Sequence, residues 1–118
     1  MADTVLDRYT IGAGKILPVD HTGPVTYVAG GETLGNINNM TGISVVGLGS
    51  LDMVLGSGSL SVSGNYWVMV KPSGTGVRKT FILQWFLASA GVPTLTEAGG
   101  SSHINLSGET VRLGYVGR

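Results

Sequence analysis

KTFILQWFL, residues 79–87, sets Phe81, Leu83, Trp85 and Leu87 on one side of an extended chain and Thr80, Ile82, Gln84 and Phe86 on the other. Successive side chains of a strand point to opposite faces, so the odd positions form an unbroken apolar face and the even positions a mixed one. This is the pattern of a central strand. At residues 66–71, YWVMVK is apolar on both faces, with Tyr66, Val68 and Val70 on one and Trp67, Met69 and Lys71 on the other. A strand covered on both faces is buried between layers or covered by a partner subunit. The intervening PSGTGVR opens with Pro72 and carries Gly74 and Gly76, which reads as a hairpin loop joining the two strands as neighbours.

Eight further short runs outside this pair share its β-branched and aromatic character: 4–11, 15–19, 25–29, 43–48, 51–55, 60–63, 103–106 and 110–116. Such residues fit a pleated, half-buried surface. Glycine punctuates them: 20 of 118 residues, against a usual share of about 7%, with no Gly-X-Y period. Many short strands between tight turns predict an all-β fold, a small antiparallel β-sandwich of jelly-roll or Greek-key kind with about 8–10 strands, in a single domain spanning residues 1–118.

Within 110–116, Val111, Leu113 and Tyr115 share one face, which points inward, while Thr110, Arg112 and Gly114 share the other. HINLS and TVRLGYV, joined through Ser107, Gly108 and Glu109, read as a hairpin. ASAGVPTLTEAGGSS, residues 88–102, has Pro93 and three glycines and reads as a long connection between sheets. The Gly- and Ser-rich segment 43–64, where GLGSL is echoed as GSGSL, is weakly specified in register and suits an edge that pairs with another chain.

Seven basic residues balance seven acidic ones, and charged residues make up 12% of the chain. Phosphate affinity comes from clustered Lys and Arg releasing counterions, so no nucleic-acid partner is expected; Lys71, Arg78 and Lys79 read as solvating a glycine loop. MADTVLDRY carries no apolar leader core, and FILQWFLASAGV is too short and too polar to span a bilayer as a helix, so neither export nor a membrane partner is expected.

No catalytic, cofactor or metal residues emerge, and the chain does not read as an enzyme. Cysteine is absent, and the two histidines, His21 and His103, lie apart from any nucleophile pattern. Asp20-His21-Thr22-Gly23-Pro24 reads as a turn. There is no His-x-His or Glu-x-x-His for zinc, and the acids are scattered singly, unlike a calcium loop. Gly12-Ala13-Gly14-Lys15 lacks phosphate-loop spacing and runs into Pro18.

The aromatics carry what remains. Phe81 and Trp85 read as core, whereas Trp67 and Phe86 lie off the regular apolar faces and read as intersubunit contacts or a sugar platform. Met69, beside Trp67, and Val5, Tyr9 and Tyr115, near the ends, complete the candidate interface. The terminal patterns fit either sheet strands or extended arms between subunits.

The MADTVLDRYT opening, the abundant Gly, Ser and Thr, the scarce charge, the absent cysteine and the dense short strands together resemble the small decoration, or cement, proteins of tailed-bacteriophage capsids. The resemblance rests on composition and length over the whole chain. It implies a virion protein, made in the bacterial host cytoplasm and placed on the capsid surface. Its partners would be the major capsid protein and copies of itself, as a dimer or trimer, and it would need no cofactor. The competing expectation is a glycan- or receptor-binding module of a phage tail or fibre, built around Trp67.

Overall fold

The structure, a computed structural model, describes residues 2–12, 14–34, 51–72, 81–89, 92–100 and 102–117. Among these residues there are eleven strands and no helix: β1 (Ala2–Val5), β2 (Tyr9–Ile11), β3 (Gly14–Thr22), β4 (Tyr27–Val28), β5 (Glu32–Leu34), β6 (Leu51–Leu55), β7 (Tyr66–Pro72), β8 (Phe81–Ser89), β9 (Val92–Glu97), β10 (His103–Ile104) and β11 (Thr110–Gly117). Every pairing among them is antiparallel. The protein is an all-β fold, as the glycine-punctuated runs predict.

In the five-stranded sheet, β3 has β1 and β2 along one edge and β11 along the other, with β6 beyond β11. In the four-stranded sheet, β8 is central as expected, with β7 on one edge and β5 and β9 end to end on the other. The predicted neighbours β7 and β8 pair with Val68 opposite Trp85 and Trp67 opposite Phe86. A short ladder joins β4 to β10.

Alternation along each strand builds one core from both sheets. Leu17 and Val19 of β3 and Val111, Leu113 and Tyr115 of β11 join Val68 of β7 and Phe81, Leu83 and Trp85 of β8 in a single apolar cluster. Each such side chain contributes roughly 1.5–3 kcal/mol through removal from water. Tyr115 is fully buried there, which corrects its expected place at an interface: its register beside Leu17 points it inward with Val111 and Leu113.

Segment 56–61 links the sheets. It leaves β6 and lies along the edge of β7, where Gly58 N donates to Val68 O (2.7 Å), Val68 N to Ser59 O (3.1 Å) and Ser61 N to Tyr66 O (2.8 Å). The expected strand at Leu60 therefore shrinks to a single bridge, Leu60 to Trp67.

The structure differs from the sequence reading in four further places. Residues 4–11 form two strands, not one, because the chain leaves the ladder between Val5 and Tyr9. Pro18 accounts for the break: its carbonyl accepts from Leu6 N (2.9 Å), so its missing N–H faces the gap between β1 and β2, where no donor is required. Second, Asp20, His21 and Thr22 are the end of β3, not a turn, paired with both β1 and β11.

Third, the predicted hairpin of residues 103–106 with 110–116 is absent. The turn exists, with Glu109 N donating to Leu106 O (2.9 Å), but β10 pairs with β4 and β11 with β3. Buried Leu106 donates its N–H to Pro24 O (2.9 Å), which draws the two arms onto different partners. Fourth, the supposed connection 88–102 contains β9, folded back on β8 with Ser89 opposite Val92. The terminal segments Ala2–Val5 and Thr110–Gly117 both belong to the five-stranded sheet and are not extended arms. The expected strand at 43–48 and residues 73–78 of the expected loop lie outside the described residues, while Pro72, expected to open that loop, ends β7.

Candidate functional site

Two features stand out: a polar bridge inside the core, and an apolar band outside it. The bridge begins at His21, fully buried at the end of β3, and Glu32, nearly so at the start of β5. His21 Nε2 and Glu32 Oε1 form a short hydrogen bond, and Trp85 Nε1 of β8 donates to Glu32 Oε2 (3.2 Å). The carboxylate thereby ties the five-stranded sheet to the four-stranded one. Buried polar atoms cost free energy unless paired, and no buried side-chain nitrogen or oxygen among the described residues lacks a partner.

A second clamp lies beside it. Tyr27 Oη donates to Glu97 Oε2 (2.6 Å) and accepts from Trp85 N (3.0 Å), while Gly30 N donates to the same carboxylate oxygen (2.7 Å). Burial, reinforced by the hydrogen bond to Glu97, raises the Tyr27 phenol well above its ordinary range. Neither clamp gathers three metal-ligating side chains among the described residues.

The outward face of the five-stranded sheet has the opposite character. Register places Tyr9, Ile16, Val116 and Met53 in one row across β2, β3, β11 and β6. The next row is Pro18, Gly114 and Leu55, extended by Leu6 through its hydrogen bond to Pro18. Tyr9 is 53% exposed, Met53 50%, Leu55 49% and Leu6 43%, on a surface where water is usually met by polar groups. Asp7 sits beside Tyr9 and raises its phenol by hydrogen bonding and charge. One row further, Arg112 Nε donates to Asp20 Oδ1 (2.5 Å), an exposed ion pair that borders the band.

The candidate interface residues fall in different places. Tyr9 is in the apolar band. Val5 contributes its backbone to the ladder opposite Val19. Trp67 and Phe86 stack on each other, ring centroids 4.7 Å apart at 22°, and are 9% and 8% exposed. The rings cover each other on the face of the four-stranded sheet that turns away from the core, with half-buried Met69 two residues along. Neither ring presents the open face that stacking against a sugar requires. The sequence reading missed Met53 and Leu55, although their alternation with buried Val54 in LDMVL makes β6 apolar on both faces, the same signal that singled out YWVMVK.

Comparison with protein-family models, with characterised proteins and with solved structures finds no match for this chain.

Proposed function

We propose that the protein is a non-catalytic subunit of a larger protein assembly, which it stabilises by binding neighbouring subunits. The observation that carries this reading is the apolar band on the outward face of the five-stranded sheet. Apolar side chains gain free energy when covered, and a row held rigid by a sheet loses little entropy on docking. The low charge of the whole chain removes a barrier to close approach.

The particular assembly that fits the chain's composition and length is a tailed-phage capsid. Copies seated on the capsid surface would bridge neighbouring major capsid subunits, each through a modest interface repeated by symmetry, so that avidity replaces individual affinity. The test compares particles assembled with and without the chain. Greater resistance to heat and to chelator in the complete particles, lost when Met53 and Leu55 are both changed to Lys, is the expected result. Equal resistance would overturn the cementing role. The tail- or fibre-module alternative loses its intended aromatic platform, since Trp67 and Phe86 are spent on each other.

A further inference from the structure

We infer that the outward face of the five-stranded sheet pairs with the same face of a second copy about a two-fold axis running parallel to the strands between β3 and β11. The inference rests on the assembly reading above and names the partner that this face meets first.

The self-complementarity comes from the register. A two-fold axis in that position keeps each residue in its own row along the strands and exchanges the two sides of the sheet, so β3 lies over β11 of the other copy and β2 over β6. Tyr9 then meets Met53, Ile16 meets Val116 and Pro18 meets Gly114, each pair drawn from one observed row. Leu6, beyond Pro18, meets Leu55, beyond Gly114. In the charged row Asp20 lies over Arg112, and the reciprocal pair forms by symmetry. Within these three rows the apolar groups face apolar groups and Asp20 and Arg112 face each other, which is what an isologous contact requires. Methionine against an aromatic ring is itself a favourable contact. A two-fold axis perpendicular to the strands would instead reverse the rows and set Arg112 and Asp20 against apolar side chains.

The size of the face sets the strength. Four strands about 4.8 Å apart, over four or five residues of each, present roughly 250–350 Å² per copy. A stable interface takes about 800 Å² per partner, so this pair is weak and concentration-dependent in isolation and is strengthened where other contacts hold the copies together.

The test uses charge reversal and site-directed cross-linking of the full chain. Arg112→Asp sets like charges opposite each other and is expected to weaken dimerisation, measured by sedimentation equilibrium, by about tenfold or more, a free-energy change of about 1.4 kcal/mol. Combining Arg112→Asp with Asp20→Arg restores the opposite-charge arrangement and the affinity. Both positions are exposed enough that folding changes little, which circular dichroism checks. Because the chain has no cysteine, single cysteines are clean probes. A mixture of Tyr9→Cys and Met53→Cys chains is expected to couple through a short bismaleimide, while Met53→Cys alone is not, since the axis holds the two copies of β6 on opposite edges.

A dimer indifferent to Arg112→Asp, or Met53→Cys chains that couple as readily as the mixture, would overturn this geometry. A chain that stays monomeric yet protects particles through Met53 and Leu55 would overturn self-pairing and leave the assembly reading standing. A chain that is monomeric and confers no protection would overturn both.

Discussion

Replacing Glu32 by Ala tests what joins the two sheets. The substitution removes the carboxylate that accepts from His21 Nε2 and from Trp85 Nε1, and both donors are on side chains that are fully buried. A buried donor left without its acceptor costs about 1–3 kcal/mol, and breaking a buried polar pair from one side typically costs about 3–5 kcal/mol in all. For a chain of this size, about 1 kcal/mol shifts the melting temperature by roughly 4 °C, so the expected fall is roughly 12–20 °C. Against a total stability of about 5–15 kcal/mol this is a large fraction. Urea denaturation of the wild type, Glu32→Ala, His21→Ala and the double variant gives the coupling directly. The double variant should lose less than the sum of the single losses by at least about 1 kcal/mol. A loss under about 1 kcal/mol for Glu32→Ala, or strict additivity, would refute the bridge as the tie between sheets. Changing both residues to Leu should recover only part of the stability, because an apolar pair leaves no orphaned charge but leaves buried Trp85 Nε1 without its acceptor.

Other consequences follow from the same packing. Gly23→Ala should destabilise by about 2 kcal/mol or more in the same denaturation assay, since a Cβ there would lie 2.5 Å from Leu106 O and 2.6 Å from Leu106 Cβ, against main chain that has no room to yield. Trp67→Ala should cost about 3–5 kcal/mol by unstacking Phe86, and an unchanged melting temperature would show that the two rings do not pack. Folding raises the Tyr27 phenol, so the folded state holds that proton more tightly than the unfolded state does. Stability from this group is complete below its ordinary pKa of about 10 and is lost as pH rises beyond it. Tyr27→Phe should therefore flatten the alkaline limb of stability against pH while lowering stability at neutral pH, and an unchanged alkaline limb would contradict the assignment.

The sequence was legible wherever strand alternation was strong and the neighbour lay close along the chain. β7, β8 and β11 follow the period of two, and β7 and β8 pair as neighbours, though their register, with Trp67 opposite Phe86, came from the structure. Pairing between distant segments was not legible. Nothing in HINLS says that Ile104 will find Tyr27, and the Ser107-Gly108 turn fits a hairpin as well as the corner it forms. The misreading of His21 has a physical origin too. Asp, His, Thr, Gly and Pro together carry strong turn propensity, and the buried carboxylate of Glu32, on another sheet and invisible in the local sequence, gives an imidazole a reason to enter the core. Glu32 itself follows two glycines in a segment with little strand character, and it joins β8 because Leu34 behind it is buried against the core. The apolar band was half legible: Tyr9 was singled out, but Met53 and Leu55 stand out only once β6 is known to lie beside β11.

The central claim, that the outward face of the five-stranded sheet pairs with the same face of a second copy, is tested most directly by the weight-average mass of the purified chain across micromolar to millimolar concentrations. The mass should rise from that of one copy toward two with increasing concentration, and Met53→Lys with Leu55→Lys should hold it at one copy without altering the fold. A mass fixed at one copy throughout, or a rise that the two lysines leave unchanged, would contradict the claim.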